Sequence, residues 1–529
     1  MFPIRGNLGG PGGKGLEDFL EFESLRIRKR KQMKIQIPYT ILFAISFFFL
    51  VMLKKSTSNK SFKTLPPGPS KLPIIGNLHQ LAGSIPHRAM RDLANKYGSF
   101  IHLQLGELSH VVVSSPEIAK EIMKTHDTTF ANRPALVATT LISNNTDIAF
   151  SPYGNYWRQL RKICTLELLS AKRVQTFRTI REEEVSALVK NISEHEGSIV
   201  NLSEKLYELT NFITARAAFG AKTKNVEEIL SLMKRTLELA SGFSVSDLYP
   251  SLKILQVITG IKAKIDSVNK ELDMMVRNII NDHKEKNHSH AGKTEDLVDV
   301  LLRIQKENTL EIPLTQRNLK AIIADVFLGG TETSASTVEW SMSELLRNPS
   351  KMRRAQEEVR RIFGSKGYVD ESEFRHLKYV SAVIKETLRL HPPLPLLLPR
   401  ENSESCEING YKLPPKTRVI INGWAIGRDP KYWDEPEKFE PERFLNASID
   451  YNFKGTEFEY IPFGSGRRIC PGVSFATVLV ESMVCNLLYH FDWRLPNGLE
   501  HEKLDMTENS GATVRRKNDL CLIPIRYCP

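Results

Sequence analysis

The chain has no cysteine framework. Its six cysteines, at positions 164, 406, 470, 485, 521 and 528, form no C-x-x-C pair and no regular spacing. That argues against a disulfide scaffold and a structural zinc site, and for a reducing compartment. The sequons at Asn191, Asn201, Asn287 and Asn446 then count as chance matches. Residues 70–529 contain no internal repeat and no low-complexity linker. A chain of 529 residues with 41% hydrophobic content therefore reads as one large unit with a substantial core. The net charge of +12 comes with no nucleic-acid motif and no aromatics interleaved among the basic residues. The positive excess points to a membrane face, an acidic protein partner or a generally basic surface, and away from nucleic acid.

What is present starts with a long apolar run. Residues 35–53 carry no charge, near the length a bilayer-spanning helix needs, and Lys54 and Lys55 follow. A cleaved signal peptide would have a shorter run, although Ser56-Thr57-Ser58 offers small residues for cleavage. An uncleaved anchor over 33–55 is the expectation. Arg26, Arg28, Lys29, Arg30 and Lys31 precede it and compete with Lys54, Lys55, Lys60 and Lys63 for orientation. If translation begins at Met33, only Lys34 precedes the anchor and the bias favours a cytosolic catalytic domain. Residues 1–32, with the Gly-rich GNLGGPGGKG, read as a disordered upstream extension outside the working protein. Acidic Glu17, Asp18, Glu21 and Glu23 oppose the competing reading as an organelle transit peptide. Residues 56–69 read as a linker ending in the stiff hinge Leu65-Pro66-Pro67-Gly68-Pro69, where consecutive prolines deny helix.

Over 70–529 amphipathic helical patterns dominate, as in 173–191 and 318–347, with short extended pieces near 100–114 and 418–422. The fold class expected is mainly α with small β-sheets. Within it the ten residues from Phe463 to Gly472 fit F-x-x-G-x-R-x-C-x-G without a miss. A thiolate on a haem iron needs shielding from water and backbone N–H groups that set its donor strength. Cys470 would be that ligand. Gly466 would let the backbone turn and approach the macrocycle, and Gly472 would let the following segment lie against it. Phe463 would cover the sulfur side, and Arg468 would reach a haem propionate.

These residues identify a resemblance to the cytochrome P-450 family of haem-thiolate monooxygenases, from about Leu65 to the C-terminus. Further segments carry it. The helical pattern near 322–346 contains Gly329-Gly330-Thr331-Glu332-Thr333-Ser334, matching A/G-G-x-D/E-T-T/S. The resemblance implies a helix over the distal haem face whose backbone opens there, with Thr333 and Glu332 relaying protons to the reacting dioxygen. Ala324, Phe327 and Leu328 would line an apolar cavity. It also implies that Trp157 and Arg161, in W-x-x-x-R, hold a propionate, and that Glu386, Arg389 and Arg443 form a buried charged triad beside the ligand loop. Substrate-facing segments would be 132–150, with Leu136, Val137, Leu141 and Ile142, then 394–399 and 510–514. The run 242–260 would dip into the membrane.

Tyr153-Gly154-Asn155-Tyr156-Trp157-Arg158 and Trp424-Ala425-Ile426-Gly427-Arg428-Asp429-Pro430 are similar to plant microsomal members, the group with sesquiterpene, diterpene and indole-alkaloid oxygenases. The resemblance implies haem b, with NADPH used indirectly through a P-450 reductase and cytochrome b5 as a further electron donor. It implies the endoplasmic reticulum membrane, and insertion of one atom of O2 into a lipophilic metabolite. Apolar walls favour a terpenoid substrate, with an alkaloid or phenylpropanoid as alternative. The rivals from other classes are a haem-thiolate isomerase or lyase of hydroperoxides and a non-catalytic haem sensor.

Overall fold

The computed structural model describes residues 65–528, apart from 222–225, 287–294, 309, 447, 510 and 512. The expected extension over 1–32, the anchor over 33–55 and the linker before Leu65 lie outside the described residues. The hinge over 65–69 lies within them. The His102 N–H donates to the Pro67 carbonyl over 2.9 Å, and a Cβ on Gly68 would stand 2.1 Å from the His102 carbonyl oxygen. The hinge thus lies directly on a β-strand, and Gly68 is what permits it.

The described chain is helical around one axis, the 32-residue helix Gln316–Arg347. It starts where Thr315 accepts the Asn318 N–H and Asn318 returns the bond, a reciprocal cap. It ends at Asn348, because Pro349 opens the next helix. Most of its C-terminal half is buried, and Leu202–Phe219, Pro349–Phe363, Lys378–Leu390 and Val473–His490 pack around it in one core cluster. Val473–His490 is long and apolar enough to cross a membrane, but its burial here makes it a core helix. The glycine pair expected to open the central helix does not interrupt it. Gly330 instead lets Leu202–Phe219 cross closely, since a Cβ there would meet Thr214 at 3.1 Å. That approach offsets the roughly 1 kcal/mol Gly330 costs the helix, whereas a Cβ on Gly329 would meet nothing within 4 Å.

Phe100–Leu105, Leu108–Val113, Arg418–Ile421 and Arg400–Glu401 form a four-stranded sheet in that order, parallel only between the second and third. A three-stranded sheet joins Val200–Asn201, Cys521–Arg526 and Phe491–Arg494, and a hairpin pairs Cys406–Ile408 with Tyr411–Leu413. The helical pattern expected over 173–191 is split at Phe177 (φ −89°, ψ 6°) into Ala171–Thr176 and Arg178–Ser193. The cause is packing: Phe177 meets Phe475 edge-on, with ring centroids 6.5 Å apart. All six cysteines are free, as their irregular spacing indicates.

Candidate active site

A cavity of about 410 Å³ lies between the central helix and the segment 463–472. Cys470, Phe463, Gly472, Arg468, Trp157, Arg161 and Thr333 line it; Gly466 and Glu332 do not. Nine motif residues more than 300 positions apart at the extremes therefore largely converge on one space.

The cysteine segment is a closed loop. The Cys470 N–H donates to the Phe463 carbonyl over 3.0 Å, and the Ile469 N–H to the Gly466 carbonyl. The Gly472 N–H bonds the Cys470 thiol, while burial pushes that thiol up from its ordinary value; the Arg161 charge and the Gly472 bond pull the other way. Gly472 borders only that sulfur, 3.8 Å from where its Cβ would be. Gly466 works differently from its expected role. Its φ of +69° and the 2.2 Å that would separate a Cβ from the Met123 carbonyl oxygen show that it packs the loop on residues 121–127, and it is Met123, not Gly466, that lines the cavity. Gly464, with φ +73°, is the glycine that turns toward the cavity.

One wall is cationic. Arg133, Arg400 and Arg468 are buried, and Arg161 is half-buried. Arg468 donates to the carbonyls of Ala131 (2.7 Å) and Ser151 (2.5 Å), and Arg133 to those of Ala149, Leu398 and Pro399. Among the described residues the Arg161 guanidinium has no hydrogen bond or ion pair. Burial, then the neighbouring Arg400, brings Arg468 down to about 9. Burial, then Arg468 and Arg400, also depresses Arg133. Among the described residues only Asp127 and Asp147 answer these four charges. The surplus suits a dianion, and haem b, with two propionates, fits it together with the Cys470 thiol, two residues from Arg468 on the same loop. Trp157 contributes by packing rather than through a free N–H: its indole donates to the Ile148 carbonyl over 3.1 Å and lies under Arg468 at 4.2 Å.

Residues 147–151 tie these parts together. Their carbonyls hold Trp157, Arg133 and Arg468, while the N–H groups of Ile148 and Ala149 donate to Asp325 on the central helix over 2.7 and 3.2 Å. Burial, then the Asp147 carboxyl, pushes Asp325 well above the usual carboxylate range. Asp325 is therefore a clamp between the distal helix and the cationic wall. Asp325→Ala should speed haem transfer to apomyoglobin by about tenfold, as expected for stranding buried donors worth about 1–3 kcal/mol. An unchanged transfer rate would contradict the clamp.

Motif reasoning found neither Arg133, Arg400 nor Asp325 as site residues, since no short spacing links them. Above the thiol the walls are hydrocarbon, with Ile142, Ala321, Ala324, Leu328, Leu394 and Leu397. Phe327 faces the core against Phe219 at 5.2 Å and does not line the space. Of the four apolar residues singled out in 136–142, only Ile142 lines it; Leu136 packs toward Gly242 and Leu141 is exposed.

A helical fold with a half-buried thiol beside a four-arginine wall suits a haem-thiolate protein, and the chain belongs to the cytochrome P450 family, whose model matches residues 66–522. It is a haem-thiolate monooxygenase that uses haem b, with NADPH acting through a reductase as is typical of the family. The chain is 55% identical to cytochrome P450 71D10 of Glycine max, over 96% of this chain and all of that one. It is 51% identical to tabersonine 16-hydroxylase 1 of Catharanthus roseus (92% and 98% covered) and 51% identical to premnaspirodiene oxygenase of Hyoscyamus muticus (93% and 98%). Among solved structures, a zebra fish cytochrome P450 with progesterone matches at a TM-score of 0.71 and 25% identity, over 83% of this chain and 99% of that one.

Proposed function

We propose that this chain oxygenates a lipophilic specialised metabolite, a sesquiterpene or diterpene first, at the carbon presented above Cys470. The hydrocarbon wall formed by Ile142, Ala324, Leu328, Leu394 and Leu397 carries this reading, because such walls select by shape with few polar contacts. Similarity to a premnaspirodiene oxygenase supports it. An alkaloid is the second reading, favoured by similarity to a tabersonine 16-hydroxylase. Screening both classes with a reductase and NADPH tests the order. A terpenoid product with no turnover of basic amines supports the first reading, and the reverse would replace it.

Haem, when bound, supplies dioxygen activation and transfer of one oxygen atom. In this reading Cys470 would supply the thiolate that holds the haem iron, on the loop that Phe463, Gly466 and Gly472 shape. Arg161, Arg468 and the Trp157 that packs against Arg468 would hold the propionates. Thr333 and Glu332 move protons. The Thr333 hydroxyl lines the cavity and donates to the Gly329 carbonyl over 2.7 Å, which orients its oxygen as an acceptor for a water. Thr333→Ala should divert most reducing equivalents to peroxide while NADPH consumption persists, measured as product per NADPH. An unchanged ratio would count against this role.

Electrons arrive from NADPH–P450 reductase, with cytochrome b5 as a second donor, on a chain anchored by 33–55 in the endoplasmic reticulum membrane with the catalytic part in the cytosol. The exposed Phe243, Val245, Ile254, Val257 and Ile258 support a membrane-facing surface over 242–260. Leu248 and Tyr249 in the same run turn inward to pack against the sheet.

A further inference from the structure

Glu332 does not line the cavity, yet the reading above asks it to pass protons there. The residue between them is on a different part of the chain. The Thr513 hydroxyl donates to Glu332 Oε1 over 2.7 Å, both side chains are buried, and Thr513 itself lines the cavity. Thr513 is held firmly. The Asn509 N–H donates to the Arg515 carbonyl and the Lys517 N–H to the Thr507 carbonyl, closing a hairpin base. The neighbouring Val514 donates to the Pro393 carbonyl and accepts from Ser336 of the central helix. The Thr333 hydroxyl is committed to Gly329.

We infer that Thr513 is the hydroxyl through which Glu332 delivers protons to the cavity. This rests on Glu332 being the proton donor proposed above. When Glu332 is protonated the Thr513 hydroxyl turns to accept from the carboxyl O–H and to point its own hydrogen at a cavity water; as Glu332 then gives its proton to Thr513 Oγ1, Thr513 releases its own to that water. The carboxylate left behind is reprotonated from solvent on the side where exposed Lys234 and Glu238 and part-exposed Arg515 lie. Those groups, with Tyr207, are the charged and titratable neighbours that face Glu332. Burial raises the Glu332 carboxyl above its ordinary value, and the Thr513 bond partly offsets that.

The test uses carbon monoxide photolysis infrared difference spectra of the haem-loaded enzyme together with product per NADPH. The carboxyl band lost in Glu332→Gln identifies Glu332. In Thr513→Val, which keeps the shape and removes the hydroxyl, that band should move to higher frequency and titrate at higher pH. Peroxide should rise several-fold, and Thr513→Ser should restore all three. A Val variant whose band and titration match wild type overturns the inference. So does a shifted band with wild-type coupling, if Glu332→Gln alone uncouples. If Glu332→Gln leaves coupling intact, the Glu332 reading itself fails and the inference falls with it.

Discussion

Cys470→Ser is expected to abolish monooxygenase turnover, by at least about 100-fold, while leaving a folded protein. Metal-site partners outside the ligand set already cost ten- to a hundredfold, and a serine oxygen lacks the electron donation that favours O–O cleavage. The fold should survive because the backbone bonds of the loop, from Cys470 to the Phe463 carbonyl and from Ile469 to the Gly466 carbonyl, do not involve the sulfur. The cost is one buried hydroxyl in an apolar setting, about 1–3 kcal/mol. Product assays beside thermal denaturation check this. Substantial residual turnover would remove Cys470 from the role of ligand.

Arg389→Ala should act through folding instead. Arg389 makes two bonds to Glu386 at 2.7 and 2.8 Å and donates to the carbonyls of Gly427, Pro436 and Lys438. Arg443 reaches the same Glu386 over 3.0 Å, and the Glu440 N–H donates to it over 2.8 Å. Both side chains of the central pair are 0% exposed. Removing the arginine leaves a buried carboxylate with only part of its compensation, a loss of about 3–5 kcal/mol against a total stability of about 5–15 kcal/mol. It also frees three carbonyls in the segment leading to the haem loop. The expected result is a protein that is degraded or recovered without haem. Arg389→Lys should recover part of the loading, since it keeps the charge but not the two-pronged geometry. Full haem content in the alanine variant would contradict the account.

The parts of this site that are legible in the sequence share one property: each lies in a short window. Phe463 to Gly472, Trp157 to Arg161, Glu386 to Arg389 and Gly329 to Ser334 are local patterns whose spacing places their residues on one loop or helix face. Residues that act across long separations were not legible as individuals. Arg400 is recruited to the loop by bonding the Ser465 carbonyl, 65 positions away, and Thr513 reaches Glu332 across 181 positions. Local reading also misjudged direction. Phe327 shares the apolar character of Ala324 and Leu328, but its ring is drawn into the core by Phe219. Gly466 has the left-handed φ its motif suggests, yet the crowding neighbour is the Met123 carbonyl. Such outcomes depend on which tertiary neighbour occupies a given face, and no local pattern contains that.

The central claim is that Cys470 holds a haem iron as thiolate. The most direct measurement is the carbon monoxide difference spectrum of residues 33–529 expressed in microsomes and reduced. The far-red-shifted Soret band of a ferrous carbon monoxide haem opposite a thiolate is the predicted result. Folded, haem-loaded protein without that band would contradict the ligand assignment and the oxygenase mechanism that rests on it.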